Sequence, residues 1–201
     1  MIELLIIQVF FSLLLFCLSL VANYVGSYIL SHLNLNLQPV NDFLLLIIPR
    51  IYWMGYVADA TLLLIGALTL YSLRHNLKQM SFVINTVSFA LFIRSFLILL
   101  TPTSNSFGIV EYTDLLSFTK YPSGMFPSGH TICAFLSYLF IKSHPNKSLH
   151  TLMFLLLILE IMALIASHGH YSIDIVGGLM LAYIIYRKGL DYQKTHKQTE
   201  Y

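Results

Sequence analysis

The stretch LLIIQVFFSLLLFCLSLVANYV, residues 4–25, contains no charged side chain. A run of roughly 20 apolar residues is what a helix needs to cross the hydrocarbon core of a bilayer. The run is too long for the core of a signal peptide. The only charge before it is Glu3, not Lys or Arg, and no small-x-small cleavage site follows. It therefore reads as a retained first span. The pattern recurs along the chain. Of 201 residues, 57% are hydrophobic and only 10% charged, with a mean hydropathy of +0.76. A soluble domain of this size needs far less apolar surface. The net charge of +2 is too small to indicate a nucleic-acid partner. Cys17 and Cys133 both lie in apolar segments, so no disulfide framework is expected.

Six spans fit the pattern: Leu4–Leu30, Phe43–Leu73, Met80–Thr101, His130–Ser143, Leu149–Ser167 and Tyr171–Arg187. The expected fold is all-α, a polytopic six-transmembrane-helix bundle forming one domain over residues 1–190, with a polar cytoplasmic tail at 191–201. The tail beyond Arg187 is expected to fray. The fourth span is short, so its companion loop must dip inward or the bilayer must thin there. The connection Pro102–Gly129, between the third and fourth spans, is the longest and carries Pro, Gly, Ser and aromatics. Such long loops on a tight scaffold are usually functional.

Charge sets the expected orientation. Arg74, Lys78, Lys142, Lys147, Arg187, Lys188, Lys194 and Lys197 all fall on the side of the N-terminus. The opposite loops hold Lys120 alone, with Asp42, Glu111 and Asp114. The positive-inside bias then puts both termini in the cytoplasm and the mouths of the fourth and sixth spans on the outer face.

Those two mouths carry the chemistry. Pro127-Ser128-Gly129-His130 opens the fourth span, and His170-Tyr171-Ser172-Ile173-Asp174 opens the sixth. A helix N-terminus offers unpaired N–H groups and a positive dipole end to an anion such as phosphate. Gly129 lets the backbone approach closely, and Ser128 adds a hydroxyl. The plainer reading is a Ser cap followed by an ordinary interfacial His. His170 and Asp174 are four residues apart and so share one helix face. A carboxylate on one ring nitrogen fixes the tautomer and leaves the other nitrogen free to attack. Asp174 precedes Ile175-Val176-Gly177-Gly178 at a hydrocarbon boundary, where an ionisable side chain is a functional candidate by default. One shared site requires the two imidazoles within about a phosphate's width, and Asp174 roughly 2.6–3.2 Å from His170.

Met125-Phe126-Pro127-Ser128-Gly129-His130-Thr131 and Gly169-His170-Tyr171-Ser172-Ile173-Asp174 resemble the paired motifs of the type 2 phosphatidic acid phosphatase superfamily. They are most similar to its sphingomyelin-synthase-like branch. Pro39-Val40-Asn41-Asp42 partly resembles that branch's Pro-Leu-Pro-Asp, and Arg94 with Thr101-Pro102 resembles its arginine-containing third-span motif. The resemblance implies that His170 attacks a lipid phosphorus to form a phosphohistidine. Asp174 would orient it, and His130 would act as acid and then base. It implies a metal-free reaction with no cofactor, in the bilayer, on a membrane phospholipid or lipid phosphate. The acceptor is a lipid alcohol or water.

The chain departs from the superfamily in two respects. The usual Lys-x6-Arg-Pro before Ser-Gly-His is absent, and Leu164 stands where an Arg is usual. Three phosphate-clamping cations are thus missing, which tilts the reading from a doubly charged monoester towards a singly charged phosphodiester. Candidate phosphate or substrate contacts are Ser128, Gly129, Arg94, Lys120 and His168. Arg94 either faces the phosphate or pairs with Glu160 at similar depth. His168-Gly169-His170 has no standard metal spacing, so no metal is expected. Tyr52 and Trp53 read as interfacial anchors. The rival readings are a simple lipid-phosphate phosphatase and a non-catalytic transporter or scaffold.

Overall fold

The structure is a computed structural model that describes residues 2–33, 37, 39–104, 124–142 and 144–198. The described residues form seven helices and no sheet: α1 (Ile2–His32), α2 (Phe43–Ile47), α3 (Met54–Leu73), α4 (Leu77–Leu100), α5 (Gly129–Ile141), α6 (Lys147–Ala166) and α7 (Ser172–Gln198). Helix starts follow local capping chemistry. Asp42, Asn76, Ser128 and Asn146 each accept from backbone N–H groups of the turn they open. Four helices, α1, α3, α4 and α6, are long and apolar enough to cross a membrane. Helices α5 and α7 do not meet that description. The all-α expectation is thus met among the described residues, with four helices apolar enough to span.

Two expectations need correction. The second span is not continuous from Phe43. The helix stops at Ile47, and Ile48 is extended at φ −94, ψ 121. Pro49 is the reason: it lacks the N–H that would continue the ladder, and it disfavours helical backbone at the residue before it. Arg50 therefore lies in the break rather than in a span, with its guanidinium 4.4 Å from the Tyr52 ring centroid. The polar tail does not fray at Arg187 either; α7 continues as helix to Gln198.

The shortness of α5 is resolved by its position. It packs on α3, α4, α6 and α7 at once. Ile132, Ala134 and Leu136 are fully enclosed, feeding one core with α4 and α7 and another with α3 and α6. A third cluster joins Ala58, Ala163 and Ile175 at the other end of α3. A helix shielded by four others need not span lipid, and irregular backbone at membrane depth is tolerated where protein covers it. Here that backbone is residues 124–128, drawn in against α4.

Helix α1 packs mainly along α4 and exposes a largely apolar outer face, including Leu4, Phe10 and Leu14. Apolar contact alone gives little association between helices in lipid, so polar ties count. Ser12 Oγ lies 2.5 Å from Ser81 Oγ, and the Asn23 amide donates to Leu91 O at 2.7 Å. Each such tie is worth about 0.6 kcal/mol in a bilayer. At one end of the bundle three connections converge. Ile51 N donates to Ala166 O at 2.8 Å, Ser128 N to Asp174 O at 2.9 Å, and Val40 N to the Tyr171 hydroxyl at 3.1 Å.

Candidate active site

Both motifs meet at this convergence. Their approach depends on the glycine pair of α7. A β-carbon on Gly177 would lie 2.5 Å from the Phe126 ring, and one on Gly178 would lie 2.9 Å from Ser128 O. Only hydrogen fits at both positions, so α7 can lie directly against the Phe126–Ser128 backbone. Gly129 has a related constraint, since a β-carbon there would meet Arg94 Nε at 3.2 Å.

The ring centroids of His130 and His170 are 6.2 Å apart. His170 is buried, and its Nδ1 lies 3.3 Å from Asp174 Oδ2. That is a tenth of an ångström beyond the upper limit set by the sequence reading. The same Oδ2 accepts from Tyr171 N at 3.0 Å, and Asp174 has no solvent exposure. An ionised carboxylate only accepts, so Nδ1 carries the proton and Nε2 keeps its lone pair. Burial pushes the His170 imidazole below its ordinary value of 6.5. The Asp174 hydrogen bond and charge oppose that shift, while His130 and Arg94 add to it.

His130 has a carboxylate of its own. Its Nε2 lies 3.1 Å from Asp59 Oδ1, on α3. Nδ1 is then the nitrogen not engaged by that carboxylate. The sequence reading gave Asp59 no role. The available signal was depth: Asp59 is an ionisable group one and a half turns inside an apolar span. Glu160, on α6, is fully buried, and neither carboxylate oxygen has a hydrogen-bond partner among the described residues. The alternative pairing of Arg94 with Glu160 is therefore not realised.

Arg94 turns the other way. Nε donates to Pro127 O at 2.6 Å, one terminal nitrogen to Asn23 Oδ1 at 2.6 Å, and the other to Gly124 O at 3.4 Å. It holds the first motif's loop against α4 and α1. Ser128 is fully buried, and its Oγ accepts from Thr131 N at 3.3 Å and Thr131 Oγ1 at 3.0 Å. The structure places that hydroxyl as the α5 cap. His168 donates from Nε2 to Ile48 O at 2.7 Å. It occupies the left-handed region at φ 57, closing α6 with bonds from His168 N to Ile165 O and from Gly169 N to Leu164 O. That is the helix-ending geometry usually given to glycine. Lys120 lies outside the described residues.

Residues 125–189 match the family model described as PAP2 superfamily C-terminal. The matched segment is about a third of the chain, and it contains both motifs with His130, His170 and Asp174. No curated protein matches the chain. The match supports the PAP2 superfamily and a lipid-phosphatase type of activity. It does not reach α3, so it says nothing of Asp59.

Proposed function

We propose that this protein is a membrane enzyme that cleaves a lipid phosphoester through a phosphohistidine on His170. It then transfers the phospho-group, or phospho-headgroup, to a lipid hydroxyl or to water. The observation that carries this reading is the pair of imidazoles 6.2 Å apart, each with one ring nitrogen on a carboxylate. His170 Nε2 attacks phosphorus; the N–P bond forms as the bond to the leaving oxygen breaks. His130 Nδ1, charged and steadied by Asp59, gives its proton to that oxygen. In the second half the acceptor hydroxyl yields its proton to His130 Nδ1, and its oxygen displaces His170 from phosphorus.

A phosphodiester substrate, as in the sphingomyelin-synthase-like branch, is favoured over a monoester. Arg94 is occupied with protein oxygens at all three nitrogens, which suits a substrate phosphate bearing one charge better than two. The site faces the non-cytoplasmic side, with six crossings and both termini inside; the cation asymmetry supports this.

The test is a purified enzyme in nanodiscs given a headgroup-labelled phospholipid, with and without a lipid alcohol. Label on the alcohol identifies a transferase. Label released as free phospho-headgroup or phosphate identifies a hydrolase. Neither product, with no acid-labile adduct on His170, refutes the enzymatic reading and leaves the transporter or scaffold.

A further inference from the structure

The first turn of α7 carries the nucleophile's neighbours, yet it lacks a cap of its own. Tyr171 stands at the cap position and has no side-chain acceptor short enough to reach the turn. Asp174, three residues into the helix, reaches back to Tyr171 N at 3.0 Å. That is half of a capping box. The other acceptor comes from 130 residues away. Asp42 Oδ2 accepts from Ser172 N at 2.6 Å and from Ser172 Oγ at 2.7 Å. Its second oxygen, Oδ1, accepts from Leu44 N at 3.0 Å and Leu45 N at 3.3 Å. One buried carboxylate therefore caps two helices, α2 and α7.

We propose that Asp42 is a positioning residue for His170, acting through Ser172. The proposal rests on the reading of His170 as the nucleophile. Ser172 stands midway between His170 and Asp174. Asp174 Oδ2 must hold Tyr171 N and His170 Nδ1 together, so any rotation of the first turn of α7 moves the carboxylate that sets the His170 tautomer. Asp42 clamps that turn from outside. Val40 N, on the same segment, donates to the Tyr171 hydroxyl at 3.1 Å and fixes the strap at a second point. Burial raises the Asp42 carboxyl, but the bonds from Ser172, Leu45 and Leu44 outweigh it and leave the group below its ordinary value of 3.8. Asp42 is thus an anionic acceptor throughout the working pH range.

The two halves of the bridge can be cut separately. Ser172→Pro removes both donors to Oδ2 while leaving Asp42 on α2, and proline is tolerated at the first helical position. Asp42→Asn keeps the shape, but its amide nitrogen cannot accept, so one of the two turns loses its cap. Asp42→Ala removes everything, and Ser172→Ala only the hydroxyl. Each variant is compared with wild type for kcat and KM on a phospholipid, for Tm, and by NMR of ¹⁵N-labelled histidine in nanodiscs.

Asp42→Ala and Ser172→Pro are expected to lower kcat about 10²-fold, the cost of misplacing a reacting group by an ångström. KM should stay near wild type in both and Tm in Ser172→Pro, while Asp42→Ala, which uncaps two helices, should also lower Tm; the His170 signals should shift from one tautomer towards a mixture. Ser172→Ala should do least. Where Asp42→Ala fails to fold, Asp42→Asn and Ser172→Pro carry the same test. Unchanged kcat in the bridge-cutting variants overturns the proposal. So does a loss that follows Tm while the His170 tautomer stays fixed. A wild type inactive on every phosphoester refutes the nucleophile reading instead, and the NMR comparison then still decides whether Asp42 sets the His170 tautomer.

Discussion

His170 Nε2 and His130 Nδ1 are the two nitrogens not claimed by a carboxylate, and their roles separate by mutation. On the proposed mechanism His170→Ala removes the nucleophile and should abolish cleavage of every phosphoester. His130→Ala should still accept an activated aryl phosphoester, whose leaving group needs no proton, and should accumulate an acid-labile adduct on His170. Activity in His170→Ala, with nothing trapped in His130→Ala, would reverse the assignment. Asp174→Asn preserves shape but supplies the wrong tautomer, for which a serine-protease triad gives a cost of about 10⁴-fold. Asp59→Asn does the same to His130 and should lower kcat on unactivated lipids about 10²-fold; the activated substrate should be nearly indifferent. The pH profile follows from burial. Protonation consumes the Nε2 lone pair, so on the acid side kcat/KM should fall as pH drops through the His170 pKa. Since burial places that pKa below 6.5, the acid limb should have its midpoint below pH 6.5. Asp174→Asn removes an interaction that raises the pKa, so any residual activity should fall at still lower pH. A midpoint well above 6.5 would contradict a buried, neutral imidazole.

Among the elements, α7 is the one whose fit against the first motif is least forgiving. Gly178→Ala puts a methyl group 2.9 Å from a backbone carbonyl that cannot swing aside. Overpacking of this kind costs about 1–3 kcal/mol. Thermal unfolding in detergent should show a lowered Tm, and activity should fall with the separation of the two histidines. Gly66→Ala in α3 is the control, because a β-carbon there meets nothing within 4 Å. It should be neutral or stabilise by up to about 1 kcal/mol, the helix cost of glycine relative to alanine. Equal behaviour of the two variants would remove the close-approach argument. Pro49 shows the opposite case, a single residue that stops a helix. It ends α2 and, with the Ile51–Ala166 bond, turns the 48–53 segment back onto the end of α6.

For the whole molecule the open quantity is which face the site presents. On a background lacking Cys17 and Cys133, Ser106→Cys should react with an impermeant thiol reagent from outside and Asn146→Cys should not. The reverse pattern would invert the topology. Much of the architecture was legible in the chain by itself. Apolar runs must be helices in lipid, because no other open segment satisfies its own backbone there, and Ser128 was legible as a helix cap. The two motifs named His130, His170 and Asp174, since an i,i+4 spacing is a local property of one helix. What the chain could not disclose was who stands across from whom. Asp59 lies 71 residues from His130, and Asp42 lies 130 from Ser172. Arg94 points at Pro127 O rather than at Glu160. No periodicity encodes such distant pairings. They follow from α5 packing at the centre of four helices and from two glycines that let α7 close against it, so only the tertiary structure decided them.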